Sequence, residues 1–311
     1  MKLVFCGTPR FAVPTLEALI AAGHEIALVV SQPDRPVGRT QQLTAPPVKE
    51  TALAAGLEVT QPEKIKNNAE FRERLETIAP DAIVAVAYGR IVPPWMLALP
   101  RLGCINLHAS LLPKYRGAAP IQWAVAMGET ITGNTTMLLE EGLDTGLILM
   151  QREIPIRPEQ TAAELFDVLA KYGAPLVVET LAGLSAGTIK PKLQDHIRAT
   201  LAPILDREDG RMDFAARTAT ETWNRWRGFQ PWPGAYTTLE GKKLIAHQML
   251  VSTKKADGEP GAVDLTDHRL QVACAQNTWI EITVLQMEGK KRMTASDFLR
   301  GAGLRSGIRL G

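Results

Sequence analysis

Short apolar runs alternate with amphipathic stretches along the first two thirds of the chain. The apolar run Lys2–Cys6 is followed by an amphipathic stretch, Phe11–Ala22, and by a second apolar run, Glu25–Val30. An uninterrupted apolar run of this length predicts a buried strand, whereas apolar residues three or four apart predict a helix. The order strand, helix, strand therefore predicts the opening of a Rossmann-like α/β domain.

Later segments extend the same pattern. Asp81–Ala87 is almost uniformly apolar, as expected of a parallel strand that is covered on both faces, and Cys104–Leu107 predicts another buried strand. Thr132–Leu139 and Leu149–Ile156 alternate partly and predict two more strands. A long helix is predicted over Thr161–Leu184. These elements together predict a mostly parallel sheet with helices around it.

The pattern changes after about residue 188. Thr188–Leu205 is non-periodic and contains two prolines, which predicts a linker. A predicted helix, Arg217–Arg227, then precedes a series of short strands separated by turns, which is typical of a small β-barrel. The predicted strands are Gly241–Leu250, Gly261–Val263, Leu270–Ala273 and Thr278–Gln286. We expect one domain over 1–189, a linker over 190–206 and a second domain over 207–311.

Composition agrees with two soluble domains. The 311 residues are 45% hydrophobic and 22% charged, without a long apolar run, so no membrane partner is expected. The chain opens directly in a predicted strand with no leader pattern, which predicts a cytoplasmic protein. Its cysteines lie far apart within apolar runs, so we expect buried thiols and neither a zinc site nor a disulfide framework. They are Cys6, Cys104 and Cys274.

Charge is unevenly divided between the two halves. The net charge is +2, but residues 1–189 hold 16 Lys and Arg against 19 Asp and Glu, whereas residues 190–311 hold 19 against 14. A basic half could face a polyanion. An imbalance of this size is also ordinary in soluble proteins, so charge alone leaves nucleic-acid binding open.

Three polar residues form the strongest candidate for chemistry. Asn106 and His108 are two residues apart at the end of a predicted strand, so their side chains point to the same face. Asp144 lies in a Gly-x-Asp-x-Gly turn at 142–146, which could present its carboxylate to that face. An amide and an imidazolium can stabilise the oxyanion of acyl transfer to an amine, while a carboxylate orients the imidazole and assists proton removal. Each residue alone is more often structural; only the combination indicates catalysis.

That combination resembles a known family. Residues 106–113 read Asn-x-His-x-Ser-Leu-Leu-Pro, and 142–146 read Gly-Leu-Asp-Thr-Gly; both are motifs of the 10-formyltetrahydrofolate-dependent formyltransferases. The resemblance runs from Val4–Pro9 to Gly289–Gly301 and so covers essentially the whole chain. Within the family, the chain looks like the members that formylate methionyl-tRNA.

The resemblance implies a fold, a site and a reaction. The fold is a Rossmann-like formyltransferase domain with a mostly parallel sheet, followed by an OB-like barrel that binds tRNA. The implied reaction moves a formyl group from 10-formyltetrahydrofolate, a co-substrate, to the amino group of methionyl initiator tRNA for translation initiation, without a metal. Backbone groups of Tyr88–Pro93 would contact the pterin ring. The implied catalytic residues are Asn106, His108 and Asp144, and the implied folate loop is Ser110, Leu111, Leu112 and Pro113.

Contacts with tRNA are expected from two regions. The proline-rich stretch Ser31–Pro47 predicts a long exposed loop, and the family's tRNA-contacting arginine falls on Arg39. In the second domain, exposed cations would bind phosphates with little sequence discrimination, whereas Trp223 and Trp226 are expected to belong to the core together with Trp232. The cations proposed for this role are Lys242, Lys243, Lys290 and Arg292.

The chain departs from the family pattern at two places. Many members follow the loop arginine with Gly-Lys-Lys, but this chain has Thr40-Gln41-Gln42, which weakens the expected phosphate contact of the loop. Asn134 stands where the family usually carries an apolar residue. A buried amide needs a hydrogen-bond partner, so this position calls for a structural explanation.

Two alternatives remain open on the sequence alone. Formyltransferases that act on glycinamide ribonucleotide or amino sugars, and folate enzymes that release formate, share the catalytic motif. They lack or replace the second domain and the Arg39 loop. A non-catalytic RNA-binding protein would be expected to have lost one of the three catalytic residues. The absence of a heptad repeat or of an obvious apolar patch predicts a monomer.

Overall fold

The computed structural model describes residues 1–38, 41–255, 257–302 and 308–311. These residues form two compact units. The N-terminal unit comprises Met1–Pro120, Ile131–Pro155 and Phe166–Pro203, and the C-terminal unit comprises Ile121–Thr130, Ile156–Leu165 and Ile204–Gly311. The chain thus enters the C-terminal unit twice before its final crossing at residue 204. The hydrophobic pattern contains no signal of these two early excursions.

Strands and helices alternate up to residue 185. The strands are β1 (Lys2–Gly7), β2 (Glu25–Val30), β3 (Arg35–Val37), β4 (Gln42–Thr44), β5 (Val59–Thr60), β6 (Ala82–Val86), β7 (Cys104–His108), β8 (Ile131–Leu138) and β9 (Ile148–Pro155). The helices are α1 (Val13–Ala21), α2 (Pro47–Ala54), α3 (Ala69–Ile78), α4 (Pro94–Leu97), α5 (Pro120–Ala126) and α6 (Ala162–Ser185). In the described ranges no helix is long and apolar enough to cross a bilayer.

A seven-stranded sheet forms the centre of the N-terminal unit. Its strand order is β5-β2-β1-β6-β7-β8-β9. The first five strands in that order pair in parallel, and β8 and β9 are antiparallel additions. Every residue of β6 is buried, as its continuous apolar run predicts. The mostly parallel, Rossmann-like sheet is confirmed.

Buried cysteines contribute to both cores. Cys6 and Cys104 lie in the central sheet, and Cys274 ends a strand of the C-terminal unit; all are free thiols. Burial raises the pKa of the Cys104 and Cys274 thiols to about 12, so both are neutral apolar side chains at physiological pH.

The stretch Ser31–Pro47, predicted as a long exposed loop, is largely exposed between Arg35 and Thr44 in its described residues. It contains the short antiparallel hairpin β3–β4, with Arg35 opposite Thr44. At its base Lys49 Nζ donates to both carboxylate oxygens of Asp34, at 2.9 and 2.8 Å, and this contact lowers the pKa of Asp34. The hairpin buries little apolar surface, so its strands leave no periodic pattern in the sequence.

The C-terminal unit is built on an antiparallel sheet. Its elements are α7 (Ala219–Gly228), β10 (Ala235–Leu239), β11 (Lys242–Lys255), β12 (Val263–Asp264), β13 (Leu270–Cys274), β14 (Thr278–Met287), β15 (Met293–Thr294) and α8 (Ala295–Ala302). The strand order is β10-β11-β14-β13-β12, with β15 added on β14. Inward apolar residues of these strands form one core with α7 and α8 packed on it. The predicted OB-like architecture is confirmed.

Asn134 is fully buried on β8 within the N-terminal unit. Its Nδ2 donates to the carbonyl of Leu169 in α6, at 2.9 Å. Its Oδ1 is also buried but has no hydrogen-bond partner within the described residues. The amide is therefore half satisfied, and it joins the sheet to the helix through a single bond.

Replacing Asn134 with Val should leave the N-terminal unit at least as stable as it is now. The substitution removes a hydrogen bond worth about 0.5–1.5 kcal/mol together with a buried partnerless oxygen that costs about 1–3 kcal/mol. A β-branched side chain also suits a buried strand. We expect the free energy of unfolding, measured by urea denaturation, to be unchanged or to rise by up to about 1 kcal/mol.

The control is Asn134→Asp, which has the same shape but places a carboxylate where the Leu169 carbonyl already points. It should be strongly destabilising because a buried charge has no partner there. A loss of more than about 1.5 kcal/mol in Asn134→Val, the upper value of a single hydrogen bond, would show that the bond to Leu169 outweighs the unsatisfied oxygen.

Candidate active site

The carboxyl end of β7 carries two of the predicted catalytic residues. Asn106 is half-buried and pairs with Ala85 of β6, whereas His108 is 6% exposed and pairs with Thr135 of β8. None of the described residues hydrogen-bonds the Asn106 amide, so its donors remain available to a ligand. Both side chains belong to the edge of the sheet at which α/β proteins bind ligands.

His108 is held in one tautomer by a backbone carbonyl. Its Nε2 lies 2.8 Å from the backbone carbonyl oxygen of Tyr115. Because a carbonyl can only accept, Nε2 carries the hydrogen, and Nδ1 is the nitrogen that can gain or lose a proton. Nδ1 lies 3.6 Å from Asp144 Oδ2, which is an ion-pair separation longer than a hydrogen bond. The structure thus brings the predicted imidazole and carboxylate face to face.

Residues 115–117 connect these two groups. Tyr115 has a left-handed backbone, φ 60°, and directs its carbonyl to His108. Two residues later the Gly117 N–H donates to Asp144 Oδ2 at 2.8 Å. Gly117 has φ 119°, and an added Cβ would lie 2.7 Å from the Ala202 oxygen, so only glycine fits. One short loop therefore positions the imidazole and the carboxylate together.

The turn at 142–146 presents Asp144 in an unexpected way. The left-handed residue is Asp144 itself, with φ 51°, rather than either flanking glycine. Gly142 and Gly146 are needed because an added Cβ would overlap Thr145 Oγ1 at the first and the Leu138 carbonyl at the second. The glycines therefore permit close packing of the turn, and the strained conformation falls on Asp144, the residue predicted to be catalytic.

The predicted folate loop divides into inward and outward side chains. Ser110 is fully buried, and its Oγ donates to the Lys114 carbonyl at 2.6 Å. Leu112 is 3% exposed and packs in a small cluster of buried apolar side chains. Leu111 and Pro113 are half-buried. Only these last two offer side-chain surface to a flat ring, whereas Ser110 and Leu112 hold the loop.

Two residues absent from the prediction fasten this loop. Thr135 Oγ1 donates to the Ser110 carbonyl at 2.6 Å and accepts from the Leu112 N–H at 3.1 Å. Gln151 Nε2 donates to Thr135 Oγ1 and to the Leu112 carbonyl, both at 2.9 Å. Thr135 pairs with His108 across β7 and β8, so pairing the two predicted strands in register would have pointed to it.

Tyr88–Pro93, predicted to contact a pterin ring, follows β6. The Tyr88 carbonyl is already occupied by Thr8 Oγ1 at 3.1 Å and by Gln32 Nε2 at 2.8 Å. The Tyr88 ring is 3% exposed, and burial raises the pKa of its hydroxyl, which has no partner in the described part of the chain. Gly89 adopts a left-handed φ of 75°. The backbone groups left for a ligand lie beyond Tyr88.

The four predicted cations of the C-terminal unit lie at one end of its sheet. Lys242 and Lys243 begin β11, and Lys290 and Arg292 lie in the connection after β14. The two segments are neighbours because the Glu288 N–H donates to the Lys243 carbonyl at 2.8 Å. All four cations are exposed, and so is Lys291. We call this set the basic tip: Lys242, Lys243, Lys290, Lys291 and Arg292.

The remaining predicted contacts have different outcomes. Arg39 lies outside the described residues. Trp223 and Trp226 are half-buried against the core of the C-terminal unit, whereas Trp232 is 53% exposed. Arg227, the last residue of the predicted helix Arg217–Arg227, is 4% exposed and donates to the Gln160 carbonyl at 2.8 Å, so it is an internal residue. Among the described residues no group of three His, Cys, Asp or Glu could hold a metal ion.

Comparison with known proteins places the chain in a family. The family described as formyl transferase matches residues 1–181, and the formyl transferase C-terminal domain matches residues 204–303. The methionyl-tRNA formyltransferase of Acidobacterium capsulatum is 68% identical over 311 residues and covers 100% of both chains. That of Koribacter versatilis is 57% identical over 311 residues, covering 100% of this chain and 99% of its own.

Solved structures share the fold at low sequence identity. The sugar 3N-formyl transferase WlaRD, solved in the presence of dTDP and 5-N-formyl-THF, superposes with a TM-score of 0.66 at 18% identity, over 94% of this chain and 99% of that one. HypX from Aquifex aeolicus, in complex with tetrahydrofolic acid, gives a TM-score of 0.60 at 18% identity, over 96% of this chain and 47% of that one. With both family matches and full-length relatives far above 30% identity, the chain belongs to the formyl transferase family.

Proposed function

We propose that this chain transfers the formyl group of 10-formyltetrahydrofolate to the free amino group of methionyl initiator tRNA. The observation that carries the proposal is the approach of His108 Nδ1 to Asp144 Oδ2, 3.6 Å apart, beside the unengaged Asn106 amide. Full-length relatives that bear the name methionyl-tRNA formyltransferase support the choice of acceptor. The product would serve translation initiation in the cytoplasm, with the chain acting as a monomer.

The chemistry follows from what each group can donate or accept. The amine nitrogen attacks the formyl carbon, and the negative charge that develops on the formyl oxygen is stabilised by the Asn106 N–H and by His108 Nδ1–H. Asp144 accepts the proton that the amine loses, which the adjacent imidazole can relay. The bond from the formyl carbon to N10 then breaks, and the proton ends on N10. A new amide and tetrahydrofolate result.

The co-substrate would lie along the carboxyl edge of β6 and β7. Leu111 and Pro113 offer half-buried apolar surface to a flat ring, and the backbone beyond Tyr88 offers donors and acceptors. The loop that carries Leu111 and Pro113 is held in place, because Thr135 and Gln151 hydrogen-bond to its backbone. A preorganised loop costs less conformational entropy on binding.

The basic tip would hold the tRNA backbone, together with Arg39. Its five cations are exposed, and only Glu240 and Glu288 carry negative charge in the same two turns. Lys243 Nζ lies 3.8 Å from the centroid of the Tyr236 ring, which keeps that ammonium close to the sheet. Such contacts give salt-sensitive affinity with little sequence discrimination.

One assay separates this function from its alternatives. Labelled 10-formyltetrahydrofolate is supplied with charged initiator tRNA, with glycinamide ribonucleotide, with an amino sugar nucleotide or with water alone. We expect label on the methionyl amine only. Label on another acceptor, or released as formate at a comparable rate, would reject the proposed substrate while leaving the family assignment in place.

The Asp144 carboxylate should matter for its charge and not for folding. In Asp144→Asn the new oxygen can still accept the Gly117 N–H, so the fold should survive, but no anion faces His108. We expect kcat to fall about 10²–10⁴-fold, the contribution typical of acid–base groups. His108→Ala should cause a loss of the same order, measured as initial rates of formylation.

Asp167→Asn is the matched control, because it removes an exposed carboxylate of the same unit that pairs with Arg10 at the surface. Its kcat should match that of the unmodified chain. Near-normal formylation by purified His108→Ala would remove the basis of the proposal.

The basic tip should affect tRNA affinity alone. The double change Lys242→Ala and Lys243→Ala should raise KM for tRNA while KM for the folate and kcat stay unchanged. The salt slope of tRNA binding should fall by about 1 for each phosphate that is no longer neutralised. The control, Lys254→Ala with Lys255→Ala, removes equal charge at the opposite end of the 14-residue β11. Equal effects of the two pairs would show that only net charge matters.

A further inference from the structure

Gln194 contacts the catalytic turn from a distant part of the chain. It is 5% exposed and lies beyond α6, in the segment predicted as a linker. Its Nε2 donates to two backbone carbonyls of the turn, those of Asp144 and Gly146, each at 2.8 Å. One side-chain amide therefore holds the backbone at both sides of Thr145.

The other end of the same amide holds the loop that positions His108. Gln194 Oε1 accepts from Arg116 Nε at 3.1 Å and from Arg116 Nη2 at 2.6 Å. Arg116 is 7% exposed and lies between Tyr115, which binds His108, and Gly117, which binds Asp144. These contacts join four parts of the site. The His108 imidazole is bound by the Tyr115–Gly117 loop, that loop is bound by the Gln194 amide, and the amide binds the turn that carries Asp144. The Asp144 carboxylate in turn binds the same loop at Gly117.

We propose that Gln194 is a positioning residue that sets the separation between His108 and Asp144; the proposal rests on the formyl transfer proposed above. An amide is suited to this task because it has donors on one branch and an acceptor on the other. Without the Nε2 donor, Asp144 itself would keep a single hydrogen bond to the described residues, the one from the Gly117 N–H to its carboxylate. Misplacement of a catalytic group by about 1 Å is enough to lower turnover strongly.

A glutamate at position 194 would affect the two ends of this contact differently. Arg116 is a buried guanidinium with no carboxylate within 4.0 Å in the described ranges, and its partners are Gln194 and His196 Nδ1, at 3.2 Å from Nη2. A glutamate at 194 would give that cation a charge-assisted bond. It would also place a carboxylate oxygen against the carbonyls of Asp144 and Gly146, which have only lone pairs to offer. The contact with Arg116 would therefore be strengthened, whereas the contacts with the turn would be lost.

The test is Gln194→Glu in the full chain. We expect the variant to stay folded, as a cooperative thermal transition would show, because the ionic contact with Arg116 offsets the two hydrogen bonds that the turn loses. We expect kcat for formylation to fall roughly 10²-fold, with KM for tRNA and for 10-formyltetrahydrofolate close to their original values. Gln276→Glu, on an exposed turn of the C-terminal unit, carries the same change of charge and should behave like the unmodified chain.

Each outcome is decisive. A stable Gln194→Glu protein with unchanged kcat overturns the positioning role, and so does a rise in KM with kcat preserved. A variant that fails to fold also overturns it, because the proposal requires the Arg116 contact to survive. The unmodified chain is assayed in parallel: if it transfers no formyl group to methionyl-tRNA, the proposed function fails independently of Gln194.

Discussion

The hydrogen bond from His108 Nε2 to the Tyr115 carbonyl is the contact on which the geometry of the candidate site depends. It decides which imidazole nitrogen faces Asp144 and therefore which nitrogen can exchange a proton with a substrate. The Tyr115 carbonyl reaches the imidazole from a residue with a left-handed backbone, two positions beyond Pro113. The chain from β7 to Gly117 thus sets how the imidazole and the Asp144 carboxylate face each other.

Residues 194–202, which we call the strap, hydrogen-bond to the loop at Tyr115 and Arg116. The Arg116 N–H donates to the Thr200 carbonyl at 2.9 Å, and the Ala202 N–H donates back to the Arg116 carbonyl at 2.7 Å. Thr200 Oγ1 also accepts from the Tyr115 N–H at 2.9 Å. The stretch that the sequence pattern predicts as a linker therefore forms a short parallel bridge, at Leu201, with Arg116 of this loop.

Side chains of the site could be placed from the sequence, whereas their backbone partners could not. Period-two alternation in a strand was enough to predict that Asn106 and His108 share an edge, and buried apolar runs predicted the sheet. The Tyr115 carbonyl could not be predicted, because every residue has a carbonyl and only tertiary structure directs this one. Gln194 was missed because its partners are 48 to 78 positions away in the chain. The β3–β4 hairpin was missed because it buries little apolar surface.

The most direct test is nitrogen-15 NMR of the His108 imidazole in the full chain, assigned by comparison with His108→Asn. If the Tyr115 carbonyl fixes the tautomer, Nε2 carries hydrogen throughout a pH titration and only Nδ1 gains or loses a proton. A neutral His108 with hydrogen on Nδ1 and a bare Nε2 would contradict this assignment, because the Tyr115 carbonyl would then face a lone pair of the ring.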